Sequence, residues 1–277
     1  MADDSGADDD AYEWLSPGDV GGVAERFRLD GDVALVTGAS KGIGRATAFA
    51  LADAGADVAV ASRDREACRA VVDELEGAFD AAGHALAVDV ADPDAVEAMV
   101  EEAAAELGGL DILVNNAGAS FAAPTTEVSP GGWDRIVEVN LKGTYLCSTA
   151  ALDRLAGGGR VVNFSSIAGQ FGSAVMSHYG AAKAGVENLT RSLAGEWADR
   201  NVRVNCIAPG LVLTPGAAGV LGVGSDVAHD RSRVDRTVGS AAEVADTVLF
   251  LASPASSYLT GETIVVEGPP TLSDEME

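Results

Sequence analysis

The stretch VALVTGASKGIG (Val33–Gly44) runs from an apolar segment through a glycine-rich turn into the helix-forming GRATAFALADAG. The apolar run is short, aliphatic and free of charge, as a strand covered on both faces must be. Gly38, Gly42 and Gly44 let the backbone turn tightly there. The turn opens onto a helix N-terminus, whose free N–H groups attract an anion. Its spacing, TGxxxGxG, has no GK[ST], which argues against a P-loop nucleotidase and suits the pyrophosphate of a dinucleotide.

Working outward, further apolar runs follow at DVAVAS (57–62), HALAVDV (84–90), DILVNNAG (111–118), RVVNFSS (160–166), VRVNCIAPG (202–210) and TIVVEG (263–268). Segments of helical period, such as DAVEAMVEEAAAELG, stand between them and stop at glycine. This alternation predicts an α/β fold: a single-domain, Rossmann-type, doubly wound parallel sheet of about seven strands with helices on both faces. The domain is expected over residues 29–277. Residues 1–28 read as an acidic, flexible extension, in which only Trp14 and Leu15 are placed to dock on the body. Residues 213–238 carry little pattern and follow a strand's C-terminal end, so they read as a mobile substrate loop.

The composition narrows the function. Acidic residues number 43 against 18 basic ones, a formal net charge of −25. Such a chain repels nucleic acid and anionic membranes, which clustered Lys/Arg would have to hold. Lysine occurs only at Lys41, Lys142 and Lys183. An acidic, lysine-poor surface suggests a high-salt cytoplasm, where ions screen self-repulsion. Lysines retained against that trend are candidates for a specific task, although Lys142 reads as structural. Cys68, Cys147 and Cys206 have no CxxC spacing, and the histidines form no ligand motif, so neither a disulfide frame nor a metal site is expected. No apolar run is long enough to span a membrane, and the N-terminus is no signal peptide, so the expected location is cytoplasmic.

The second strand ends in Ser62 and Arg63, where an acidic residue would bond the ribose hydroxyls of NAD. A hydroxyl and a guanidinium instead suit a 2′-phosphate, with Lys41 as a second positive charge. NADP(H) is therefore favoured and NAD(H) remains possible, the alternatives being an Arg63 pair with Asp64 or Glu66, or Asp64 at the ribose. Asp89 can accept from an adenine amino group, because Asp92 before Pro93 is the better helix cap. In SHYGAAKAG, Tyr179 and Lys183 stand at i and i+4 on one helix face. An ammonium there lowers the phenol pKa from about 10 and makes the pair fit for proton transfer. His178 points elsewhere and is not expected to be catalytic. Ser166 ends a strand at the ligand crevice. It lacks a GxSxG elbow and a His–Asp relay, so it reads as a holder of a carbonyl oxygen and not as a nucleophile.

Taken in order, TGASKGIG, NNAG, Asn140 in VNLKGTY, Ser166, Tyr179…Lys183, APG with Thr214, and LTGETIVVEG resemble the short-chain dehydrogenase/reductase family over residues 29–268. The resemblance implies hydride transfer with an Asn140–Ser166–Tyr179–Lys183 tetrad. In it Tyr179 is the acid/base, Ser166 holds the carbonyl, Lys183 binds the nicotinamide ribose, and Asn140 anchors a relay water. It further implies cofactor contacts from Gly38, Ser40, Lys41, Gly42, Ile43 and Gly44, from Ser62, Arg63, Asp89 and Val90, and from Asn116, Ala117 and Gly118. Ile207, Pro209, Gly210, Val212 and Thr214 would complete the nicotinamide side. A homotetramer or homodimer is implied as well.

The function expected is an NADP(H)-dependent interconversion of a carbonyl and a secondary alcohol, closest in appearance to 3-oxoacyl-thioester reductases. The alternatives are an enoyl- or dienoyl-thioester reductase, a sugar or polyol dehydrogenase, and a catalytically silent dinucleotide-binding regulator.

Overall fold

The computed structural model describes residues 18, 21–155, 157–214 and 230–269. Its first half contains β1 (Val33–Thr37), α1 (Gly42–Asp53), β2 (Asp57–Ser62), α2 (Arg65–Ala78), β3 (Gly83–Ala87), α3 (Pro93–Leu107) and β4 (Ile112–Asn115). Next come α4 (Pro130–Val137), α5 (Gly143–Leu155), β5 (Arg160–Phe164), α6 (Ile167–Phe171) and α7 (Ser177–Trp197). The chain continues through β6 (Arg203–Pro209), β7 (Val212–Leu213), β8 (Gly239–Ser240), α8 (Ala241–Ala252) and β9 (Thr263–Val266). Each of the seven apolar runs named above contributes one strand to a single sheet of order β3-β2-β1-β4-β5-β6-β9. Every pairing in it is parallel.

The strands are apolar because both faces are covered. Alternate residues of β1 point into different clusters: Ala34 and Val36 join Leu51, Val71 and Leu251, whereas Leu35 joins Met99, Cys147, Leu193 and Trp197. Helices α1, α2 and α8 thus cover one face, and α3, α5 and α7 cover the other. Burying each large aliphatic side chain contributes about 1.5–3 kcal/mol. The three cysteines are buried and unpaired, as expected of small core residues. Among the described residues, no helix is long and apolar enough to cross a membrane, and no cluster of His, Cys, Asp or Glu could hold a metal.

Trp14 and Leu15 lie outside the described residues, as do residues 215–229 of the expected substrate loop. Of the extension, Glu25–Phe27 form a 3-10 turn, and the Phe27 ring lies 6.3 Å from that of Phe250 on α8. The base of the substrate loop has more order than the sequence pattern suggested. Val212 and Leu213 pair in parallel with Gly239 and Ser240, which joins the two ends of the segment.

Candidate active site

The sheet order reverses between β1 and β4, and a crevice of about 500 Å³ opens at that point. Such a switch point at the strands' C-terminal ends is where open α/β sheets bind ligands. The turn after β1 contributes Gly38, Ser40, Lys41, Gly42 and Ile43 to the crevice wall, and β2 contributes Ser62 and Arg63. Asp89 and Val90 follow β3, Asn116, Ala117 and Gly118 follow β4, and Thr214 completes the wall.

The turn is built to let a ligand approach. Gly38 has φ 67° and Gly42 φ 59°, values that L side chains rarely adopt. A Cβ on Gly38 would meet Ala117 Cα at 2.8 Å and Asn116 Nδ2 at 2.9 Å. The Asn116 amide donates to the carbonyls of Thr37 (2.9 Å) and Gly38 (3.1 Å), which ties the turn to β4. Helices α2, α3, α4 and α8 carry side-chain caps from Asp64, Asp92, Ser129 and Ser240. The N-terminus of α1 has none, so its first N–H groups are open to an anion. These features fit a dinucleotide pyrophosphate. Gly44 serves packing instead: a Cβ there would overlap the Asn116 amide and the Gly38 carbonyl.

At the outer end of the crevice, Arg63 is exposed and makes no ion pair with Asp64 or Glu66 among the described residues. The Asp64 carboxylate is turned away to cap α2, accepting from the Ala67 N–H at 3.0 Å. Ser62 Oγ accepts from the Asp64 N–H at 3.1 Å. Asp92 caps α3, leaving Asp89 in the crevice as expected. Asp89 has a partner the sequence did not reveal, Arg135 on α4, whose Nη2 lies 2.9 Å from Asp89 Oδ2. Burial pushes the Asp89 carboxyl up, but the Ala91 N–H and Arg135 outweigh it and the net shift is downward.

The four tetrad candidates converge beside this crevice. Asn140 sits in a π-helical turn, Glu138–Lys142, between α4 and α5. Its side chain is fully buried, with Nδ2 donating to the carbonyls of Ala119 (2.7 Å) and Ile136 (2.9 Å). A Cβ on Gly118 would stand 2.9 Å from Asn140 Oδ1 and 3.7 Å from Lys183 Nζ. Glycine at 118 therefore leaves room beside both groups. Lys142 is exposed at the end of the π-turn.

Ser166 caps α6 by accepting from the Ala168 N–H at 3.2 Å, and its hydroxyl stands beside the Tyr179 phenol and favours the phenolate. Lys183 Nζ lies 5.7 Å from the centroid of the Tyr179 ring. It donates to the Phe164 carbonyl at 2.7 Å. Burial pushes the Lys183 pKa down to about 8.

One electrostatic expectation is corrected. Burial holds the Tyr179 phenol above its ordinary value, and the neighbouring Ser166 hydroxyl offsets this only in part. Desolvation disfavours the phenolate more than the neighbouring groups of the protein favour it. His178 is fully buried and packs against Phe121, with ring centroids 4.2 Å apart and the planes tilted by 39°. Pro209, Gly210 and Val212 stand outside the crevice wall. Pro209 and Val212 are buried in β6 and β7, and the Gly210 N–H donates to the Val266 carbonyl at 2.9 Å.

Comparison with known proteins agrees with this architecture. Residues 38–268 match the family model described as enoyl-(acyl carrier protein) reductase. The chain is 43% identical over 242 residues to cis-4-hydroxycyclohexanecarboxylate dehydrogenase of Sinomonas cyclohexanicum, covering 85% of this chain and 95% of that protein. It is 37% identical over 244 residues to the 3-oxoacyl-[acyl-carrier-protein] reductase FabG of Thermotoga maritima, covering 87% and 98%. A Beutenbergia cavernae structure, described as an NAD(P)-dependent gluconate 5-dehydrogenase with NADP at low occupancy, superposes with a TM-score of 0.77. It is 37% identical and is matched over 88% of this chain and 98% of its own. The protein belongs to the short-chain dehydrogenase/reductase family, oxidoreductases that act on the CH–OH/C=O pair.

Proposed function

We propose that this enzyme is an NADP(H)-dependent carbonyl reductase in which Asn140, Ser166, Tyr179 and Lys183 form the catalytic set. The carrying observation is the convergence of the Ser166 hydroxyl and the Tyr179 phenol with the buried Lys183, whose Nζ lies 5.7 Å from the Tyr179 ring centroid and 3.7 Å from where a Cβ on Gly118 of the crevice wall would stand. Bound at the crevice, the dinucleotide supplies hydride to a carbonyl carbon or takes it from an alcohol.

The protein's own groups then handle the oxygen. Ser166 donates to the carbonyl oxygen and fixes its position, and Tyr179 protonates that oxygen as negative charge develops on it. A phenol held above its ordinary pKa stays protonated at neutral pH, as reduction requires. Lys183 bonds the ribose with donors that Phe164 leaves open, and Asn140 anchors the water that returns a proton. Lys41 and Arg63 hold the 2′-phosphate, and the turn of Asp64 toward α2 supports NADP(H) over NAD(H).

The first substrate class is the 3-oxoacyl thioester, on which the Thermotoga maritima relative acts by its name. A second reading, a cyclic secondary alcohol, rests on the relative of 43% identity. Retention of both Ser166 and Tyr179 supports carbonyl over enoyl reduction, since the two hydroxyls can donate to one oxygen. The same reading places the enzyme in a salt-rich cytoplasm as a homotetramer or homodimer. The exposed Trp133, Tyr145 and Tyr258 and the edge-strand residue Val265 would lie at the subunit contacts.

The test is a substrate panel followed by NADPH absorbance: 3-oxoacyl thioesters, enoyl thioesters, cyclic ketones and keto-sugars. Turnover of 3-oxoacyl thioesters supports the first reading, and turnover of cyclic ketones alone supports the second. Turnover confined to enoyl thioesters contradicts both.

A further inference from the structure

Glu187 is 8% exposed and two helical turns beyond Tyr179 on α7. A carboxylate in such a position is costly unless it is hydrogen-bonded. Glu187 Oε1 accepts from Ser165 Oγ at 2.7 Å, and Oε2 lies 3.5 Å from Gln170 Nε2. Ser165 is the residue immediately before Ser166, and its Oγ also lies 3.0 Å from the Lys183 carbonyl. Its own N–H is bonded to the Ile207 carbonyl on β6 at 2.8 Å.

The elements joined by Glu187 are those that carry the catalytic set. Ser165 belongs to the end of β5, Gln170 to α6, which Ser166 caps, and Glu187 to the helix bearing Tyr179 and Lys183. These segments are closely packed: a Cβ on Gly169 would meet Ala184 N at 2.8 Å, and one on Gly180 would meet the Ala168 carbonyl at 2.7 Å. Packing of that kind sets the distance between α6 and α7, and the Ser165–Glu187 hydrogen bond ties the residue before Ser166 to α7.

We propose that Glu187 is a positioning residue. Acting through Ser165, it holds the end of β5 against α7 so that the Ser166 hydroxyl stays beside Tyr179. The inference rests on the assignment of Ser166 and Tyr179 to the catalytic set. Glu187 is not among the residues that line the crevice, so its effect belongs to kcat and leaves dinucleotide affinity alone.

The experiment is a double-mutant cycle on the full-length enzyme, measuring kcat, KM and NADPH affinity for Glu187→Val, Ser165→Ala and the double variant, with Glu187→Gln alongside. Groups in direct contact couple by about two- to 150-fold, and distant ones add independently. The expected result is that each single variant lowers kcat about tenfold, with KM and NADPH affinity within about twofold of wild type. The double variant falls no lower than the worse single one. Glu187→Gln, which keeps an acceptor oxygen in place, recovers most of the kcat lost in Glu187→Val.

Additive losses, unchanged kcat, or a Gln variant as impaired as Val overturns the inference. If Glu187→Val does not fold, Ser165→Ala and Glu187→Gln decide by the same criteria. Tyr179→Phe measured in parallel separates the two levels. If that variant stays active, the catalytic assignment itself fails. If it is inactive while the cycle is additive, only the role of Glu187 fails.

Discussion

Lys183 Nζ donates to the Phe164 carbonyl at 2.7 Å, the one hydrogen bond its ammonium makes among the described residues. An ammonium has three donors, so two are left for groups entering the crevice. The same burial that leaves those donors without protein acceptors brings the pKa down to about 8.

This has a kinetic consequence. Lys183 carries its proton below that pKa and loses it above, and kcat/KM for NADPH reports the ionisation of the free enzyme. It is therefore expected to be level through neutrality and to fall as pH passes about 8. A profile flat to well above that pH would show that the charge of Lys183 plays no part in capturing the cofactor.

Arg63 tests cofactor choice. Its exposed guanidinium and the diversion of Asp64 to the α2 N-terminus at 3.0 Å leave a site for a 2′-phosphate. Loss of a charge-assisted, bidentate contact costs about 1.5–3 kcal/mol, a loss of roughly 10- to 100-fold in affinity. Fluorescence titration of Arg63→Ala is expected to show that loss for NADPH and little change for NADH. Equal losses for both would place Arg63 outside the phosphate site.

Gly118 tests the spacing of the proposed catalytic set. Its substitution by alanine places a methyl 2.9 Å from Asn140 Oδ1 and 3.7 Å from Lys183 Nζ. Because displacements of about 1 Å cost up to about 100-fold in rate, Gly118→Ala is expected to lower kcat by about tenfold or more. Steady-state kinetics with wild-type turnover would mean the contact relaxes without touching either residue.

Salt dependence tests the reading of the net charge of −25. Raising KCl from about 0.1 M to about 1 M shortens the screening length from about 10 Å to about 3 Å. The melting temperature is expected to climb over that range, with activity lost at the low end. A melting temperature indifferent to salt would contradict adaptation to a saline cytoplasm.

The parts of this structure that were legible in the sequence are those that depend on local chemistry. Apolar runs such as Val33–Thr37 mark strands because burial on both faces demands it. Asp92 is readable as a cap from the Pro93 that follows, and Tyr179 and Lys183 share a face by helical spacing alone. What escaped depends on contacts distant in sequence. Arg135 reaches Asp89 across 46 residues, and the pairing of Val212 with Gly239 involves strands too short to show a pattern. The π-turn around Asn140 reflects bonds from its side chain to Ala119 and Ile136, which helical periodicity does not reveal. The direction of the Tyr179 shift depends on burial, and i/i+4 spacing carries no information about burial.

The central claim is that Tyr179 gives the proton in carbonyl reduction, and the direct measurement is turnover by Tyr179→Phe together with its affinity for NADPH. Removing a general acid costs about 100- to 10,000-fold in rate. The account predicts a fall in kcat of that size, with NADPH binding within about twofold of wild type. Turnover comparable to wild type in the phenylalanine variant would contradict it.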